Sequence, residues 1–154
     1  MPYELINTPI AKLGLTTADN SIVKLEFVWH DQPLTARLTQ LALQTRQQLI
    51  AYFNQPNYHF KLPIKLQGTS FQQRVWQALS NIPVGTTKTY GELAAELNSG
   101  ARAIGNACRA NPITIIIPCH RVTAKNNLGG YAGQQAGKLL AIKQFLLAHE
   151  QKIL

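Results

Sequence analysis

Of the two cysteines in this 154-residue sequence, one stands where it could serve as a nucleophile. Ile115-Ile-Ile-Pro-Cys-His-Arg-Val122 places Cys119 at the exit of a strand-like apolar run, followed at once by His120 and Arg121, two groups able to carry positive charge. The thiolate is the reactive form of cysteine, and a neighbouring base or cation populates it near neutral pH. Adjacent helical residues do not face each other, so His120 is expected to act on Cys119 through a water or a turn, with a carboxylate from elsewhere orienting it. Among the acids only Glu150 follows the motif. The competing reading is an inert buried thiol. Cys108 fits that reading better, since it lies in an alanine-rich segment with no histidine beside it and is expected to pack or to lie near the surface. No metal is expected, because two cysteines eleven positions apart and four scattered histidines match no common ligand spacing.

Elements on both sides must position such a group. Downstream, Asn126-Asn-Leu-Gly-Gly-Tyr-Ala-Gly133 reads as a loop whose glycines let the backbone approach a flat or bulky ligand. Lys138 to Glu150 reads as a closing amphipathic helix with Leu139, Ile142, Leu146 and Leu147 inward and Lys138 and Lys143 solvated. Upstream, Ser70 with Gln73 has the form of a capping box and predicts a helix from Phe71, ended by Asn81-Ile-Pro-Val-Gly85. Thr89 with Glu92 repeats the pattern and predicts a short helix from Tyr90 to Leu97. After the turn Asn98-Ser-Gly100, Ala101 to Ala110 reads as another helix, closing at Asn111-Pro112. Two short helices around a three-residue turn outline a helix-turn-helix. Its second helix would carry Arg102 and Arg109 towards DNA, while its small residues let the backbone come close to a groove.

Residues 1–66 read as a small α/β unit without chemistry of its own. Ile22, Leu25, Phe27 and Val28 suggest strand, Leu34 to Phe53 suggests helix, and His59 to Leu62 suggests a short strand within a linker. The fold expected is therefore α+β: this N-terminal α/β domain and linker, then residues 67–154 as a mostly helical, winged-helix-like domain containing the helix-turn-helix. With 45% hydrophobic residues the chain can bury a core, which excludes a disordered tail. Fifteen Lys and Arg against seven Asp and Glu give +8, and Lys61 to Lys143 holds ten of the bases with only Glu92 and Glu96 as acids. That imbalance favours a polyanion, nucleic acid ahead of an anionic membrane surface. No run approaches the roughly 18 apolar residues of a membrane span, and the start, MPYELINTPIAKLG, has no signal-peptide pattern. A cytoplasmic protein with reduced thiols and no membrane partner is expected.

The ordered set Gly68-Thr-Ser-Phe-Gln-Gln-Arg-Val-Trp76, Ile82-Pro-Val-Gly85, Thr89-Tyr90, Arg102-Ala-Ile-Gly105, Asn111-Pro112, Pro118-Cys-His-Arg-Val122, Gly130-Tyr131 and Phe145-Leu-Leu-Ala-His-Glu150 resembles the O6-alkylguanine-DNA alkyltransferases over about residues 52–150. The resemblance implies DNA repair by direct, irreversible transfer of the alkyl group from O6 of a flipped guanine, and from O4 of thymine, to Cys119. It implies a suicidal methyltransferase that acts once on double-stranded DNA, as a monomer and without cofactor. Flipping is required because O6 lies inside the duplex. The resemblance further implies that Arg102 fills the gap left in the stack and that Tyr90 crowds the next phosphate and hydrogen-bonds N3 of the departing guanine. His120 would take the thiol proton through water, Glu150 would orient the imidazole and Asn111 would fix the active-site turn. Arg109 and Arg121 are expected to contact DNA, and Val122, Gly130, Tyr131 and Ala132 to form the pocket. The alternative, a non-catalytic alkylguanine-binding damage sensor, leaves Cys119 unexplained. A plain helix-turn-helix regulator gives no reason for Pro-Cys-His-Arg, and a thiol hydrolase would turn over. Residues 1–66 hold no cysteine, so the structural zinc of some relatives is not expected.

Overall fold

Asp19 and Asn20 sit at φ 51° and 59°, the left-handed pair that a two-residue hairpin loop demands and that Asp and Asn tolerate better than other side chains. They join β2 (Lys12–Ala18) to β3 (Ser21–Val28), and β1 (Tyr3–Asn7) pairs with the other edge of β2, so the sheet runs antiparallel in the order β1-β2-β3. This computed structural model describes residues 3–29, 31–131 and 137–153, and the chain divides into two units: residues 1–67 with 112–114, and residues 68–111 with 115–154.

In the first unit Leu13, Leu15, Ile22, Leu25 and Leu49 are fully or almost fully buried. The helix expected from Leu34 begins later, as α1 (Gln40–Asn54), because Thr39 supplies the cap: its hydroxyl accepts from the Ala42 N–H at 3.3 Å. Glu4 of β1 secures that cap, its carboxylate accepting from the Thr39 N–H at 2.8 Å and the Thr39 hydroxyl at 2.7 Å. His59 to Leu62 form no strand. The extended backbone beyond them makes one parallel bridge instead, with the Ile22 N–H donating to Pro63 O at 2.8 Å and the Lys65 N–H to Ile22 O at 2.9 Å. Residues 112–114 add a second bridge to β3, where Leu25 donates to Pro112 O at 2.8 Å and Thr114 donates to Leu25 O at 3.1 Å. The apolar run Ile113 to Ile117 is thus not a strand: Ile113 bridges to Leu25, and Ile115 turns away at φ 69°. All three of Ile113, Ile115 and Ile117 are buried, which is why the run looks like a strand in sequence.

The second unit contains α2 (Ser70–Ser80), α3 (Tyr90–Glu96), α4 (Ala101–Arg109) and α5 (Lys138–Glu150), with a short parallel pair of β4 (Lys88–Thr89) and β5 (Val122–Thr123). The capping box of α2 is one residue earlier than expected: Thr69 and Gln72 cap each other, while Gln73 donates to Gly68 O at 3.0 Å. The box of α3 is Thr89 with Glu92, as its sequence spacing implies. α3 and α4 are joined by residues 97–100, where Asn98 takes φ 54°. Val75, Trp76 and Leu79 of α2, Leu93, Ile104, Leu139 and Leu146 form the core, and the Trp76 indole N–H donates to Ala107 O at 2.9 Å, tying α2 to α4. Both helices and sheet are present, an α+β fold.

Candidate active site

Proline shapes the turn that carries the thiol. Pro118, at φ −82° and ψ 65°, is the centre of an inverse γ-turn in which the Cys119 N–H donates to Ile117 O at 2.8 Å. A 3-10 turn, Cys119–Arg121, follows at once, with the Arg121 N–H donating to Pro118 O at 3.0 Å. Asn111 braces this turn through its amide, which donates to Ile117 O at 2.8 Å, and it also hydrogen-bonds Cys119. Ahead of the turn, the left-handed conformation of Ile115 is costly for a β-branched residue, on the order of 1–3 kcal/mol, and persists only because the surrounding packing enforces it.

Cys119 is almost completely buried, and burial pushes its thiol pKa up despite the opposing effects of Asn111, Lys143 and its own backbone. The resting side chain is therefore a neutral thiol that needs a base. His120 lies beside it, wholly buried, with Nε2 2.7 Å from Glu150 Oε2 and with Nδ1 lacking a hydrogen-bond partner among the described residues. Burial lowers the imidazole pKa; the contact with Glu150 opposes that shift, and the positive charges of Arg121 and Lys143 reinforce it. For Glu150, burial alone would raise the pKa, but the hydrogen bonds and charges of His120 and Arg121 outweigh it and hold the carboxylate ionised far below its usual range.

Arg121 does not face solvent. Its Nε donates to Glu150 Oε1 and one terminal nitrogen to Glu150 Oε2, both at 2.9 Å, and the other terminal nitrogen donates to Ile82 O at 2.7 Å. The expectation that Arg121 contacts DNA is thus corrected for this structure: the guanidinium is buried and turned inward, with three of its five N–H donors on Glu150 and Ile82.

A cavity of about 930 Å³ opens beside the thiol, with Tyr90, Arg102, Arg109, Cys119, Gly130 and Tyr131 among its walls. Tyr90 is the first residue of α3, so the Thr89 capping box fixes where its ring begins. The ring lies against Gly129, where φ is 71° and an added Cβ would come within 2.9 Å of Tyr90 Cε2. Burial, then the nearby Cys108 and Cys119, push the Tyr90 pKa up to about 12 against a backbone hydrogen bond with Gly130, so the phenol keeps its proton. Arg102 and Arg109 are exposed at the two ends of α4, and between them Gly105 has open space where a Cβ would stand. Tyr131 is buried. Val122 is fully buried, and its carbonyl, the group expected in the pocket, accepts from Lys143. Ala132, and residues 133–136 after it, lie outside the described residues.

The residue that sequence reasoning missed is Lys143. Expected to be solvated, it is fully buried, and its ammonium donates to Val122 O and Leu128 O at 2.6 Å and to Gly130 O at 2.8 Å. Those three carbonyls fix the backbone that runs from the cysteine turn into the cavity wall. Burial lowers its pKa to about 8, against the favourable influence of Cys119 and Cys108. A signal was present in the spacing: Leu139, Lys143 and Leu146 stand at i, i+4 and i+7, on the stripe of α5 that faces the core.

Known proteins are similar to this chain. The family described as "6-O-methylguanine DNA methyltransferase, DNA binding domain" matches residues 70–152. The chain is 38% identical to the constitutive methylated-DNA–protein-cysteine methyltransferase of Bacillus subtilis, over 97% of this chain and 94% of that one. It is 44% identical to the methylated-DNA–protein-cysteine methyltransferase of Methanosarcina acetivorans, over 97% and 98%. Among solved structures it resembles Mycobacterium tuberculosis OGT in complex with DNA, with a TM-score of 0.77 and 37% identity over 97% of this chain and 92% of that one.

Proposed function

This chain belongs to the family of methylated-DNA–protein-cysteine methyltransferases, the O6-alkylguanine-DNA alkyltransferases, and on that premise we propose that Cys119 is the acceptor of the alkyl group it removes from damaged DNA. The observation that carries the assignment is one cavity that holds the Cys119 thiol and the Tyr90 phenol, has exposed Arg102 and Arg109 in its wall, and is backed by the His120–Glu150 pair.

In the proposed reaction the Cys119 sulfur attacks the alkyl carbon, the carbon–O6 bond breaks, and guanine leaves with its electron pair. The thiol proton passes through water to Nδ1 of His120, whose charged form Glu150 stabilises. Tyr90, protonated across the physiological range, donates to the departing base and spares it a full negative charge. Because O6 is inaccessible in a stacked pair, the base must be flipped, and Arg102 fills the space it leaves. The thioether cannot be reversed by any of these groups, so each molecule acts once. O4-alkylthymine offers the same bond to the thiol and is a second substrate in this reading. The partner is double-stranded DNA carrying the lesion, bound by a cytoplasmic monomer; no helix among the described residues is long and apolar enough to cross a membrane.

The test is intact mass and peptide mapping after incubation with a duplex holding one O6-methylguanine. One methyl group gained on the Cys119 peptide, and none in Cys119→Ala, is the expected result. Tight binding without mass gain would instead indicate a damage sensor, and methyl gain in Cys119→Ala would remove the thiol from the mechanism.

A further inference from the structure

Arg121 places its guanidinium inside the protein, turned towards Glu150 and Ile82. Glu150 accepts from the Arg121 guanidinium on each oxygen at 2.9 Å and meets His120 Nε2 at 2.7 Å. A carboxylate that already accepts from arginine and also touches an imidazole takes the imidazole N–H, which assigns the proton of neutral His120 to Nε2 and the lone pair to Nδ1.

We propose that Arg121 is a positioning residue that matches the charge of Glu150, so that His120 rests as a neutral imidazole with Nδ1 ready to accept the thiol proton. A buried carboxylate without a cation would draw a proton onto the imidazole 2.7 Å away, since a buried ion pair is far less costly than a buried lone charge. An imidazolium has no lone pair and cannot act as the base. The charged groups that act on His120 are Glu150 and Lys143 from α5 and Arg121 from its own turn; Glu150 alone favours the imidazolium, and burial, Arg121 and Lys143 oppose it. Lys143 cannot stand in for Arg121, because its three donors are held by the carbonyls of Val122, Leu128 and Gly130.

The consequence is kinetic and rests on the alkyl-transfer reading. With Arg121 present, moving the proton from thiol to imidazole leaves the net charge of the site unchanged, so the transfer rate is level across the pH range in which histidine ordinarily titrates. Without Arg121 a proton must first be lost, and the rate falls as the solution becomes more acidic.

The experiment follows the His120 ring nitrogens by NMR in the full chain, alongside the single-turnover rate of methyl gain on Cys119, for wild type, Arg121→Gln and Arg121→Lys. Wild type should show a neutral His120 and a rate constant within about twofold between about pH 6 and about pH 8. Arg121→Gln should show an imidazolium at the acid end and a rate that drops about tenfold per pH unit below the new midpoint. Arg121→Lys, which restores the charge, should return both towards wild type. A charged His120 in wild type, a neutral one in Arg121→Gln, or a loss of rate equal at every pH would overturn the proposal. Should Arg121→Gln not fold, Arg121→Lys decides: a neutral His120 with a level rate supports the proposal, and an imidazolium overturns it. The imidazole titration does not depend on alkyl transfer, and the wild-type mass gain tests that reading separately.

Discussion

Cys119 and Cys108 share a cavity and are both neutral at rest, but for stability they matter in alkali. Burial, then the neighbouring Cys119, raises the Cys108 thiol from 9.0 to about 12. A raised folded-state value means stability that is complete below about pH 9 and is lost as pH climbs towards 12. Tyr90, raised from 10.0 to about 12, acts in the same direction. Lys143 acts oppositely: its depressed value makes its charge a cost below about pH 8, relieved as pH rises towards 10.5. The thermal unfolding midpoint should therefore fall between about pH 9 and about pH 11, and Cys108→Ala should make that fall shallower by removing one of the contributing acids. Lys143→Met should be more damaging at neutral pH, because it leaves one buried and two part-buried carbonyls without their donor; urea unfolding should show a loss of about 2 kcal/mol or more.

At the level of elements, two nearly identical caps serve different ends. Thr69 and Thr89 each accept from a backbone N–H at 3.0 Å, in α2 and α3 respectively. Thr69→Ala and Thr89→Ala should each cost about 1 kcal/mol, read as a shift in denaturant midpoint. Only Thr89 directly precedes Tyr90, so only Thr89→Ala should also slow methyl gain from duplex DNA. Equal rates in the two variants would show that Tyr90 is held by its cavity neighbours and not by the start of α3.

Across the whole chain the charge is concentrated in the second unit, where nine Lys and Arg face three Asp and Glu. Two of those nine, Arg121 and Lys143, are buried and turned inward. Binding to duplex should weaken with salt, with a log–log slope of about −0.9 for each phosphate contact. Arg102→Gln or Arg109→Gln should reduce the magnitude of that slope if the side chain meets a phosphate, whereas Arg121→Lys should leave it unchanged. Titration of binding against salt for the three variants checks this, and a change in Arg121→Lys would contradict the inward ion pair as the resting state.

Much of this was legible along the chain because it is local. The Thr89–Glu92 cap, the short helices around residues 97–100 and the Pro-Cys-His-Arg turn depend on residues within one or two turns of one another, and spacing alone reveals them. Other features depended on partners distant in sequence. Arg121 looks like any surface arginine until Glu150 and Ile82 close on it from 29 and 39 positions away. Lys143 looks solvated until three carbonyls converge on it, and Ile113 looks like part of a strand until it bridges to Leu25. The order of residues was enough to nominate the groups proposed to carry the chemistry and to locate the short elements that hold them. Which charges face inward was settled only when the chain packed in three dimensions, because the cost of burying a charge depends on the partners that reach it through space, and position along the chain does not encode that distance.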